Sequence, residues 1–225
     1  MWGTIVNAGA VIIGGMLGVI IGQKVSRGMG DTLMKGISLA VILIGLQMAL
    51  TTQNILIVIG SLVAGGTIGE LLEFEGRLEQ LGKRLEEMMK EKKGNVARAF
   101  VTSSLIYCVG AMAIVGSLES GLHQNYQILY AKSILDGISA VVFASTMGLG
   151  VVFSAGSIFI YQGGITLLAG WLQGALTQPV ITEMSATGGL LIMGIGFNML
   201  NISVIKVGNL LPAILVAALL AGIFL

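Results

Sequence analysis

Outside one short charged stretch, the sequence is a succession of apolar runs that far exceed the roughly 18 residues marking a membrane span. Of 12 Lys+Arg, seven lie between Arg77 and Arg98, and of 11 Asp+Glu, seven lie between Glu70 and Glu91. Five basic and four acidic residues remain for everything else. Charged residues make up 10% of the chain, against about 25% in soluble domains. In lipid every backbone N–H and C=O must find a partner within the protein, so such runs fold as helices. The pattern predicts an all-α polytopic membrane protein.

The composition excludes several functions. A single cysteine, Cys108, permits no internal disulfide or cysteine metal cluster, and a single histidine, His123, permits no histidine-rich metal site. The net charge of +1 offers no basic surface for nucleic acid. No serine has a histidine nearby in sequence, and no phosphate-binding loop is present, so no catalytic residues, enzyme activity or cofactors are expected. The first apolar run lacks a basic leading segment and an A-x-A-like cleavage site, so it is expected to be a retained span.

Eight apolar segments are expected, at about 4–22, 34–50, 54–72, 98–116, 133–150, 152–172, 185–200 and 203–224. Those at 34–50 and 185–200 fall short of the roughly 20 residues a bilayer requires, and are expected to tilt or to penetrate without a clean crossing. The loop after the first segment carries Lys24, Arg27 and Lys35, and the loop after the third carries the charged stretch. Cytoplasmic loops are enriched in Lys and Arg, which puts the N-terminus outside. Residues 73–94 read as an amphipathic cytoplasmic helix, with Leu78, Leu81, Leu85, Met88 and Met89 on one face.

An internal repeat is also expected. Gly45, Gln47 and Met48 align with Gly196, Asn198 and Met199 at one constant offset. Upstream, Ala8-Gly9 and Gly14-Gly15 resemble Ala155-Gly156 and Gly163-Gly164, and downstream Gly60 matches Gly208. The loop charges make the two copies opposite in orientation, an arrangement found in many secondary transporters. The chain then reads as a single transmembrane domain, 1–225. It comprises a first repeat (1–72), a cytoplasmic helical hairpin (73–97), central helices (98–151) and a second repeat (152–225).

Polar side chains within spans are costly and mark candidate sites. Gln47 and Asn198 could coordinate a solute or close an interhelical hydrogen bond. In the central stretch, Ser145, Thr146, Gly148 and Gly150 could line a helix break or simply allow close packing. Asp136 stands four residues after Lys132, so an ion pair within one helix is available; the carboxylate could alternatively bind a coupling ion. Glu70, Glu119 and Glu183 lie near segment ends and are expected at the interface. The steps Gly14-Gly18-Gly22 and Gly65-Gly69 predict flat faces for close helix contact, within the chain or between copies.

The runs Tyr107–Leu122, Lys132–Ala155, Tyr161–Gly164 and Glu183–Leu200 resemble the YqgA/YdfK family of bacterial inner-membrane proteins, a domain of unknown function. The resemblance covers essentially the whole chain. It implies a multi-pass protein of the bacterial cytoplasmic membrane and supplies neither a substrate nor site residues.

The function expected is secondary transport of a small solute or ion, with membrane lipids and further copies of the chain as partners. A scaffold or regulator acting through the 73–94 helix, or a passive channel, is the alternative.

Overall fold

A computed structural model describes residues 1–24, 26–77, 80 and 95–225. Of the amphipathic helix expected over 73–94, residues 78, 79 and 81–94 therefore lie outside the described residues. Described helices are α1 (Trp2–Gly22), α2 (Arg27–Ala49), α3 (Ile55–Leu71), α4 (Asn95–Cys108), α5 (Ala111–Leu122), α6 (Gln127–Met147), α7 (Gly150–Leu167), α8 (Ala169–Leu172), α9 (Gln178–Met199), α10 (Val207–Leu210) and α11 (Pro212–Phe224).

Six segments are long and apolar enough to cross a membrane: Trp2–Gly22, Gly28–Ala49, Gln127–Met147, Gly150–Leu167, Gln178–Met199 and Val207–Phe224. The pair α4 and α5, bent by 61°, makes a seventh if counted as one span. The apolar α3, with 17 residues, falls just below that length.

Two expectations change. The two short segments belong to helices of 23 and 22 residues, because α2 and α9 begin in the polar residues that precede the apolar runs. The expected segment 98–116 is not one helix. It breaks at Gly110, whose φ of +142° is closed to other residues.

The chain forms two compact units. The first comprises Met1–Ile37, Glu79–Cys108 and Met112–Leu172. Its central contact is between α1 and α6, which run parallel. A Cβ on Gly14, Gly18 or Gly22 would collide with the backbone carbonyl of Gly137, Val141 or Ser145 respectively. The four-residue glycine step thus lets two backbones meet directly, inside the chain. Replacing Gly18 by leucine is expected to destabilise the protein by about 3 kcal/mol, the upper part of the usual overpacking range. Gly9, with nothing within 4 Å of its would-be Cβ, is the control. Gly9→Ala should leave thermal unfolding in detergent unchanged or raise its midpoint.

Helix α7 runs antiparallel to α1, with Gly15 beside Val152 and Gly163 beside Met1, and parallel to α4, where Ser104 Oγ donates to Ser157 Oγ at 2.9 Å. The short α5 closes one end of this unit. Gly116 meets Leu129 of α6, and Gly121 meets Thr166 of α7.

The second unit comprises Ser38–Leu78, Val109–Ala111 and Gln173–Leu225. Here Gly45 of α2 lies against Gly189 and Met193 of α9, and Gly196 of α9 against Ser38 and Ile42 of α2. These helices are antiparallel. Gly65 and Gly69 of α3 meet Ala213 and Asn209, so α3 is antiparallel to α10 and α11.

Candidate functional site

In the first unit, the turns that meet around Leu129 carry most of its buried polar side chains. Leu129 is wedged between Gly3 of α1 and Gly116 of α5. Met1 beside Gly163, and Gly121 beside Thr166, bring the start of α1 and the end of α5 to the later turns of α7. Each helix places two polar residues at three- or four-residue spacing, which puts them on one face. They are Thr4 and Asn7 on α1, Ser117 and Ser120 on α5, Lys132 and Asp136 on α6, and Gln162 and Thr166 on α7, all buried.

Their core is a hydrogen-bonded chain. Lys132 Nζ lies 3.0 Å from Asp136 Oδ1 and 2.9 Å from Oδ2, with side-chain exposures of 9% and 9%. The ion pair expected from the sequence is therefore formed, and formed away from water. Asn7 Nδ2 donates to Asp136 Oδ2 at 3.0 Å and to Gln162 Oε1 at 3.3 Å. Asp136 sits near the midpoint of the 21-residue α6, about 14 Å from its start at 1.5 Å per residue.

Around this core, six buried atoms have no hydrogen-bond partner among the described residues. They are Asn7 Oδ1, Gln162 Nε2 and the hydroxyls of Thr4, Ser117, Ser120 and Thr166. Buried polar groups are rarely left unpaired, since each costs about 1–3 kcal/mol. Such a concentration on facing turns is what a site for a hydrogen-bonding ligand presents.

The other sequence candidates lie elsewhere. Ser145 and Thr146 occupy the last turn of α6, nine residues beyond Asp136 and so roughly 13 Å further along the helix. Their hydroxyls donate to the carbonyls of Val142 and Phe143, at 2.8 and 3.0 Å. Gly148, with φ +83° and ψ −160°, ends α6, and Gly150 starts α7 against Val96 and Ala99. These four residues build the turn between two spans. Gln47 and Asn198 lie in the second unit. The antiparallel packing places Gln47 near Gly189 and Asn198 near Ser38, at opposite ends of the helix contact. Gln47 is exposed. Asn198 holds Ile205 from both sides, donating to its carbonyl at 2.7 Å and accepting its N–H at 2.8 Å.

The second unit has two further polar junctions. Glu183, expected at the interface, is fully buried instead. Its carboxylate accepts from Thr52 Oγ1 at 2.6 Å and from the N–H groups of Gln53 and Asn54 at 2.6 and 3.1 Å. At the other end of α3, Lys206 reaches Glu70 at 2.8 Å, and this hydrogen bond holds its ammonium above the usual lysine range. Both side chains are well exposed, 60% and 61%, so the pair is a minor contributor to stability. Asn209 and Glu75 complete this clasp: Asn209 Nδ2 donates to Glu70 at 2.5 Å, and Gly208 N to Glu75 at 2.6 Å.

Sequence reasoning found Lys132 and Asp136 but missed Asn7 as their partner. Asn7 sits within the first apolar run, where an amide is as costly as in any other span, and Thr4 three residues earlier shares its face.

The protein-family model described as "Protein of unknown function (DUF554)" matches residues 2–222. The chain is 33% identical over 222 residues to the "Uncharacterized membrane protein YdfK" of Bacillus subtilis, covering 96% of this chain and 93% of the relative. It is 26% identical over 220 residues to the "Uncharacterized protein YqgA" of Escherichia coli, covering 96% and 94%. No solved structure matches the chain. With apolar helices of spanning length throughout and a family match from end to end, this is a helical membrane protein of the DUF554 family.

Proposed function

We propose that the protein is a secondary transporter of a small solute in the bacterial cytoplasmic membrane, and that the buried centre around Asp136 is where the solute binds. The observation that carries this reading is the set of unpaired buried amide and hydroxyl groups on the turns that run from Leu129 toward the Asp136 pair. Polar groups buried within apolar spans are expensive, and a pathway for a polar solute is the use that offsets the cost.

The packing of the sequence-related helices adds support. An inverted repeat places each helix antiparallel to its counterpart about an axis in the membrane plane. The sequence pairs α1 with α7, α2 with α9 and α3 with α11, and each pair packs antiparallel within its own unit. Gly45 and Gly196, aligned in sequence, each meet the residues three and seven positions before the other. The bend between α4 and α5 makes a broken helix, another recurrent feature of transporters.

The test is uptake by purified protein in proteoliposomes of radiolabelled erythritol, urea, glycine, sodium, rubidium and chloride. At least one should enter saturably. Asp136→Asn should lower its uptake by about tenfold or more, the worth of one charge-assisted hydrogen bond. Uptake of nothing above protein-free vesicles, or full uptake by Asp136→Asn, would contradict the reading.

A further inference from the structure

The chemistry of the same centre restricts what it can accept. Its two charges already answer each other: Asp136 Oδ1 accepts from Lys132, and Oδ2 lies 2.9 Å from the same ammonium and accepts from Asn7. The centre is net neutral before any ligand arrives. An ion entering it would bring an uncompensated charge into surroundings too apolar to solvate it. A zwitterion would have to separate Lys132 from Asp136, which are four residues apart on one helix and held at 3 Å or less.

The capacity left over is of another kind. Asn7 Oδ1 is an acceptor, Gln162 Nε2 is a donor, and the hydroxyls of Thr4, Ser117, Ser120 and Thr166 can each do both. None of these groups is charged. Together they match a molecule that carries alternating donors and acceptors and no formal charge.

We infer that the polar centre binds a small uncharged solute of the polyol or amide class, and that its passage moves no net charge. Thr4, Asn7, Ser117, Ser120, Gln162 and Thr166 make the contacts, while the Lys132–Asp136 pair positions Asn7. This assignment rests on the transport reading and narrows its substrate.

The experiment combines uptake with stability. Wild-type, Ser120→Ala and Thr166→Val proteins are reconstituted, and uptake of erythritol, urea, glycine, sodium, rubidium and chloride is measured with and without an imposed membrane potential. Thermal unfolding of each protein in detergent is followed in parallel. Erythritol or urea should enter, at a rate indifferent to the potential. Each hydroxyl variant should weaken the apparent affinity by about tenfold, the loss of one hydrogen bond. Its unfolding midpoint should stay or rise, because removing an unpaired buried hydroxyl relieves a cost. That combination separates ligand contact from structural damage.

Potential-driven entry of an ion, or entry of glycine in place of the uncharged probes, would overturn the ligand class and leave transport standing. Unchanged erythritol or urea uptake by both hydroxyl variants would overturn the contact assignment. Entry of no probe at all would overturn the transport reading, and this assignment with it.

Discussion

Lys132→Met is expected to destabilise the protein by about 3–5 kcal/mol, whereas Lys132→Met combined with Asp136→Leu should recover most of that loss. The asymmetry follows from burial. Lys132 and Asp136 are each 91% shielded and rely on each other for charge compensation. Removing the ammonium leaves a carboxylate whose remaining side-chain donor is Asn7 Nδ2, at 3.0 Å. One neutral hydrogen bond does not replace a counter-ion in a medium of low dielectric. Removing both charges abolishes the desolvation penalty on each side, which is why buried ion pairs can be exchanged for apolar residues at little cost. The recovery stops short of complete because Asn7 then loses one of its two acceptors, a loss of about 1–3 kcal/mol. Unfolding of the three proteins in detergent micelles checks the order. Equal losses in the single and double variants would show that the pair packs by shape alone. Under the transport reading the double variant is stable yet impaired, since Asn7 is then held by Gln162 alone.

The second large effect is expected at Glu183. Its carboxylate stands at the N-terminal end of α3, where unpaired N–H groups and the helix dipole both favour a negative charge. It takes up the N–H groups of Gln53 and Asn54 and the hydroxyl of Thr52, so the corner between α2 and α3 is satisfied by one buried side chain. Asn54 in turn caps α3, its Oδ1 accepting from Leu56 N at 3.1 Å. Glu183→Ala strips the acceptor from the Gln53 N–H and the Thr52 hydroxyl and leaves the Asn54 N–H with Thr52 Oγ1 alone, at 3.2 Å. With about 1–3 kcal/mol for each of the two unsatisfied groups and incomplete additivity, a total near 3 kcal/mol is expected. Glu183→Gln keeps one acceptor oxygen but turns an NH2 group toward donors, so its loss should be about half as large. Thr52→Val removes one charge-assisted bond and should cost about 2 kcal/mol. Hydrogen exchange at the Gln53 and Asn54 amides, measured beside thermal unfolding, should accelerate in the same order. A glutamine variant as stable as the parent would mean the carboxylate is not the corner's acceptor.

The apolar segments were readable because a span needs little more than length without charge; each falls mostly on helix, although 98–116, 152–172 and 203–224 are each divided between two. The Lys132–Asp136 contact was readable for a similar reason: a four-residue separation on a helix fixes the neighbours without reference to the rest of the fold. The glycine step at Gly14, Gly18 and Gly22 announced close packing, although only the structure identifies α6 of the same chain as the partner.

Features that depend on distant segments were not legible. Glu183 looked interfacial because it precedes the apolar part of its helix. The backbone that buries it comes from Thr52–Asn54, some 130 residues earlier. The break at Gly110 interrupts a run that stays apolar on both sides, and a single glycine does not disclose a φ of +142°. Gln47 and Asn198 align in sequence, but equivalence across an antiparallel pair sends them to opposite ends of the contact. Ser145 through Gly150 concentrated small polar residues because a turn between spans needs them. Asn7 joined the site only once α1 was placed beside α6 and α7.

Solvent access to the polar centre is the most direct measure of whether it serves a solute. The single native thiol, Cys108, is replaced by alanine, and a lone cysteine is introduced as Ser120→Cys. Membrane vesicles are then exposed to a small hydrophilic thiol reagent, with and without the solute that the protein carries. The account predicts labelling at Ser120→Cys in the folded protein, slowed by that solute. A thiol that stays unreactive until the protein is denatured would identify a sealed, dry core and contradict it.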